Sequence, residues 1–179
     1  MSAFEIKPLS PETYRQQTRR STLVVAVTFV VLAMGLSTLA VAMFGEPGGD
    51  NLWLNIAGVV LGLLLTIALV RKVYWQQPWM ASAVYGWRLK RSLMSVTNVM
   101  HHVKAGVLVG DETAMKLLRF YHLGLTQMHQ LDGNSSSLLE VRAEIEDHKK
   151  SMQAQGLEPE QPRLESAWIE AVKKIDAVK

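Results

Sequence analysis

Two long uncharged apolar runs constrain this chain more than any other feature. Thr22 to Phe44 holds no charged residue, and neither does Leu52 to Val70. A helix rises ~1.5 Å per residue, so about 20 apolar residues cross the ~30 Å hydrocarbon core of a bilayer. Each run is of that order. Between them lies Gly45-Glu46-Pro47-Gly48-Gly49-Asp50-Asn51, which is turn chemistry throughout. The expectation is a transmembrane hairpin over residues 22–70, with spans 22–44 and 52–70 and a turn at 45–51. A cleaved signal peptide is the rival reading, because Ala40-Val41-Ala42 resembles a cleavage site. A signal h-region is only roughly 7–15 residues long, shorter than the first run.

Charge gives the orientation. The turn has two acids and no Lys or Arg, whereas Lys7, Arg15, Arg19 and Arg20 precede the first span and Arg71 and Lys72 follow the second. Basic residues stay on the cytoplasmic side, so both termini are expected there. Tyr74, Trp75 and Trp79 then fall where an inner aromatic belt would lie. No Asp or Glu occurs between Asp50 and Asp111, while Arg88, Lys90, Arg91 and Lys104 add to the basic residues of that stretch. The basic part of the chain thus follows the membrane segment directly, and membrane lipid is an expected partner.

The second span carries a stripe of small and polar residues. Asn51, Asn55, Gly58, Gly62 and Thr66 recur at helical spacing and share one face. Gly58 and Gly62 form a GxxxG pair, which lets another backbone approach closely. Ala26, Ala33, Ser37 and Ala40 offer a matching face on the first span. The stripe Asn55, Gly58, Gly62 and Thr66 is expected to pack within the hairpin, with a seam between two copies as the sharper alternative.

The rest reads as helices, with no strand-period segment. Residues 1–21 form a lead-in whose helix starts at Ser10-Pro11, with Ser as N-cap and Pro at N1. Residues 71–155 form a cytoplasmic helical region opened by Pro78. Gly86, Leu89, Leu93, Val96, Met100, Val103 and Val107 alternate at three and four residues, a seven-residue repeat typical of a packed or coiled-coil seam. Leu89, Leu93, Val96, Met100 and Val103 are its expected core. Asp111 caps the next helix, whose apolar face is Ala114, Leu117, Leu118, Tyr121, Leu125 and Met128. Ser137 with Glu140 makes a capping box for a third helix. Residues 156–163, with Pro159 and Pro162, read as a linker that does not pack on the bundle. Residues 164–179 read as an amphipathic helix with Leu164, Trp168, Val172 and Ile175 on one face, seeking a protein surface. Fold class is therefore all-α: a two-helix transmembrane hairpin followed by a helical bundle or helical hairpin.

The run Asn51 to Leu131 resembles a family of uncharacterised two-span inner-membrane proteins of gammaproteobacteria. The residues concerned are Asp50-Asn51-Leu52-Trp53-Leu54-Asn55 with the Gly-rich span after it, Tyr85-Gly86-Trp87-Arg88-Leu89-Lys90, and Phe120-Tyr121-His122 with Gly124-Leu125. The resemblance covers about half of the chain and leaves out everything after Gly156. It implies a multi-pass protein of the bacterial inner membrane, and it implies no activity and no site residues.

Reactive constellations are absent from the sequence. There is no cysteine, which excludes disulfides, thiolate metal sites and cysteine nucleophiles. His101 and His102 are adjacent, and His122 and His129 are seven apart, so neither pair has the three- or four-residue spacing of helical metal ligands. His129 with Asp132 is a weaker candidate pair. The histidines are expected to be solvated or lipid-facing. No GxSxG elbow and no phosphate-cradling loop with its Lys and hydroxyl occurs. The basic residues are spread over a long stretch with no nucleic-acid-binding module. The expectation is a non-enzymatic, membrane-anchored helical interaction or scaffold module, without cofactor or evident small-molecule substrate, that meets a second copy or a protein partner. The alternative is a small accessory subunit of a larger inner-membrane transporter, channel or enzyme complex.

Overall fold

The computed structural model describes residues 4–175; the side chains of residues 135–140 lie outside that description, and with them the expected Ser137–Glu140 capping box. The chain is mostly helical, and two of its helices are long and apolar enough to cross a membrane. In chain order the elements are β1 (Phe4–Glu5), α1 (Pro11–Phe44), α2 (Leu52–Lys72), two single 3-10 turns (Tyr74–Gln76 and Pro78–Met80), α3 (Ala81–Thr97), α4 (Met100–Leu108), α5 (Glu112–Asp132), α6 (Ser135–Ala154), β2 (Arg163–Leu164) and α7 (Ser166–Val172). The chain divides into two compact units. One is Gln16–Val84; the other joins the residues up to Arg15 to those from Tyr85 on.

The Gln16–Val84 unit holds most of α1 and all of α2. Its turn is tied by Asn51, whose side chain accepts from Glu46 N at 3.1 Å and donates to Glu46 O at 3.2 Å. Asp50 Oδ1 accepts from Leu52 N at 3.0 Å and so satisfies an orphan donor at the start of α2. After α2, Pro78 opens the second 3-10 turn, where its missing N–H costs no hydrogen bond.

The second unit is built around α5. Asp111 Oδ1 accepts from Ala114 N at 2.8 Å, which starts the helix, and Gly133 at φ +74° ends it in a conformation that side chains resist. Residues α5 carries on every side are buried: Met115, Leu117, Leu118, Phe120 and Leu131 among them. Helices α4, α6 and α7 all pack on it. A single apolar face was expected, and the difference has a plain cause. From Ala114 to Leu125 only Lys116, Arg119, Tyr121 and His122 interrupt the apolar and glycine residues, and a helix apolar nearly all round is a central one.

Four further expectations are corrected. The seam helix breaks at Asn98–Val99. Thr97 Oγ1 donates back to Leu93 O at 3.0 Å, and the N–H groups of Val99 and His102 turn to carbonyls three residues back. Hydroxyl back-bonding in a run of β-branched residues tightens the turn and starts α4 in a new phase. The chain also holds a short antiparallel ladder, with Phe4 opposite Leu164 and Glu5 opposite Arg163. The stretch 156–163 is held rather than free. Arg119 Nε donates to Pro159 O, and Ile6 N to Pro162 O, both at 2.8 Å. Leu164 lies in β2, not on the last helix, and Leu164, Ile169 and Val172 belong to the buried core.

Candidate functional site

In the Gln16–Val84 unit the packing stripe meets α1. A Cβ on Gly58 would lie 2.4 Å from Ser37 Cα, and one on Gly62 would lie 2.7 Å from Ala33 Cα. Both sites therefore demand glycine, because the obstacle is backbone. Ser37 lies opposite Gly58 and Ala33 opposite Gly62, so α1 and α2 run antiparallel. Thr66 is buried and donates to Gly62 O at 2.7 Å within its own helix. Asn55 is exposed, yet its Oδ1 accepts from Ser37 Oγ at 2.6 Å. At the other end Thr28 and Tyr74 hydroxyls lie 3.0 Å apart, and the buried Ser21 hydroxyl reaches Trp79 O at 2.8 Å. Arg19, Arg20, Arg71 and Lys72 are exposed.

The helix seam lies in the other unit. Leu89, Leu93, Val96 and Val103 are buried, and Met100 is half-buried. They are covered from within the chain. Leu93 Cδ2 would be 2.8 Å from a Cβ on Gly124, so α3 leans on the glycine of α5. The Tyr14 hydroxyl would be 2.0 Å from a Cβ on Gly86, so Tyr14 fills the first seam position. Arg15, one residue on, is exposed.

A buried polar cluster joins α5 to α6. Arg119 is 5% exposed, His122 3% and His148 7%, whereas the sequence reading left the histidines solvated or lipid-facing. The two imidazoles meet edge to face with centroids 5.3 Å apart. His148 Nε2 lies 3.0 Å from Met115 O. Burial lowers its pKa, Arg119 lowers it further, and the carbonyl contact and Glu144 oppose the shift. The neutral ring therefore donates from Nε2 to that carbonyl. Burial, His148, Arg119 and Lys104 together bring His122 down to about 4. His122 Nδ1 and Arg119 Nη1 have no hydrogen-bond partner. The cluster is thus two neutral imidazoles beside a buried guanidinium, with acid–base sensitivity.

Sequence spacing pairs His122 with His129; the structure pairs it with His148, on another helix. The available signal was the composition of α5, where Arg119 and His122 fall inside a nearly continuous apolar run. Asp132, the other half of the His129 candidate, lies 3.1 Å from Lys90 Nζ. His102 Nδ1 lies 2.8 Å from Ile175 O. Among the described residues no three His, Cys, Asp or Glu side chains converge as a metal site.

A family model for proteins of unknown function (DUF3087) matches residues 4–169, and the chain belongs to that family. The match extends on both sides of the Asn51–Leu131 stretch and takes in β2 and part of α7. No curated protein and no solved structure matches the chain significantly.

Proposed function

We propose that this member of the DUF3087 family is a non-enzymatic, membrane-anchored helical interaction module. In this reading α1 and α2 cross the bacterial inner membrane as a hairpin, the turn after α1 faces the periplasm, and both termini are cytoplasmic. The observation that carries it is apolar exposure. In the most apolar windows of the two helices only 6% and 17% of residues are buried inside the protein. A core helix of a water-soluble protein would bury that surface. Here Leu23 is 65% exposed, Met34 66% and Leu64 58%. Hydrocarbon is the solvent in which such a surface costs nothing, and both helices close their backbone hydrogen bonds internally as that solvent demands. Arg19, Arg20, Arg71 and Lys72 support the orientation.

The docking part of the proposal rests on α3 and α4. The seam is filled from within the chain, which leaves a second face for partners. Trp87 and Met94 lie seven residues apart on α3 and are exposed, and Leu108 and Val109 are exposed at the end of α4. Exposed large apolar residues of this kind mark protein interaction surfaces.

The test uses the absence of native cysteine. Asp50→Cys should react with an impermeant maleimide on intact cells, and Ser151→Cys only after permeabilisation. The reverse pattern would overturn the topology. Mild detergent extraction of the full chain should then recover it with a stoichiometric protein neighbour or as a self-assembled species. A chain recovered only as a monomer would refute the module. A fixed set of larger membrane subunits would favour the accessory-subunit alternative.

A further inference from the structure

The second unit carries a basic cleft, bordered by Trp87, whose cations the docking proposal does not use. Three segments build it: the N-terminal arm with β1, α3 from Tyr85 to Ser95, and β2. The cleft encloses ≈ 570 Å³, within the size range of small-ligand sites. Its apolar lining includes Phe4 and the buried Leu164. Lys7, Arg88 and Arg91 line it as cations, and Glu5 as the one acid.

The cleft is held in shape before any ligand arrives. Tyr85 Oη accepts from Lys7 N at 3.0 Å and donates to Gln127 Oε1 at 2.5 Å. Gln127 Nε2 in turn donates to Lys7 O. The arm that carries Lys7 is therefore clamped at both its N–H and its carbonyl. Phe4 stacks near Tyr85 with centroids 5.6 Å apart. The Arg91 guanidinium lies over the Trp87 ring, 5.2 Å from its centroid, a cation–π contact. Among the described residues no salt bridge engages Lys7, Arg88 or Arg91, whereas the neighbouring Lys90 is paired with Asp132. Ser92 and Ser95 add hydroxyls to the same wall.

We propose that this cleft binds a phosphate ester of headgroup size. Two guanidinium groups and an ammonium suit the several oxygens of a phosphate, and arginine binds such groups in bidentate fashion. The aromatic and apolar lining takes the organic body, and Glu5 accepts from a hydroxyl or ammonium on it. A phospholipid headgroup and a soluble phosphate ester share this chemistry. The site lies within one unit, so it stands whether or not α1 and α2 cross a membrane.

The test titrates the full chain in neutral detergent micelles with glycerol 3-phosphate, with short-chain phosphatidylglycerol, and with glycerol as the uncharged control. Saturable binding of at least one phosphate ester, and not of glycerol, is expected. Arg88→Gln/Arg91→Gln should weaken it by about tenfold or more, which equals ~1.4 kcal/mol or more. Lys7→Gln, on a different segment, should weaken it independently. Lys149→Gln/Lys150→Gln on α6 removes equal charge and should leave it unchanged. Binding of the lipid alone, lost in the arginine variant, identifies a headgroup site; binding of glycerol 3-phosphate as well identifies a soluble ester site. Absence of saturable binding overturns the proposal. So does an arginine variant and Lys7→Gln that both bind as the parent does, or equal loss in the α6 variant, which would mean unspecific charge.

Discussion

Acid should loosen the contact between α5 and α6, and His122→Leu should remove most of that sensitivity. The His122 imidazole titrates at about 4 in the folded chain against an ordinary 6.5. The unfolded chain therefore takes the proton first. The stabilisation is full above about pH 6.5 and is lost as pH falls through about 4. At ~1.36 kcal/mol per pKa unit the full loss is about 3 kcal/mol, with about 1.4 kcal/mol gone by about pH 5.5 and about 2.5 by about pH 4.5. His148 is shifted in the same direction and adds to the effect. The assay is hydrogen exchange of α5 and α6 peptides in the full chain, corrected for intrinsic exchange rates and expressed as opening free energy. Carboxylates also titrate in this range, so the informative quantity is wild type minus variant. Leucine occupies a similar volume and removes the unpartnered Nδ1, so the variant should be no less stable near neutrality than a volume-conserving swap allows, within ~1.5 kcal/mol. If the two opening-energy curves run parallel from about pH 7.5 to about pH 4.5, His122 is not a buried neutral imidazole.

Three further outcomes follow from the packing. Cysteines at positions 37 and 55 should cross-link within the chain, since Ser37 Oγ and Asn55 Oδ1 lie 2.6 Å apart, and Gly62→Leu should abolish the cross-link by forcing α1 away; its persistence would mean that the glycine contact does not hold the helices. Leu93→Ala should destabilise the unit by roughly 2–5 kcal/mol, the range for buried large-to-small changes, while Met94→Ala, at a position 64% exposed, should shift the unfolding midpoint little; equal shifts would show that Leu93 is not in the core. Truncation after Gly156 removes Leu164, Ile169 and Val172 from the core cluster, so α4 and α5 should lose exchange protection; unchanged protection would restore the reading of the tail as a separate docking helix.

Local chemistry was legible in the sequence wherever one element decided it alone. The uncharged runs, Pro11 at the start of α1 and Asp111 as the cap of α5 all depend on neighbours within a turn or two. The period of Leu89, Leu93 and Val96 marked a buried face for the same reason. What covers that face was decided elsewhere: by Tyr14 against Gly86 and by Gly124 against Leu93. Pairing partners with long chain separation leave no periodic trace. His122 meets His148 across two helices, Leu164 finds Phe4 at the far end of the chain, and Pro159 offers its carbonyl to Arg119. A proline-bearing stretch of few apolar residues reads as a free linker because its own side chains bury little. It is held by backbone carbonyls instead, which every residue carries and no sequence pattern distinguishes.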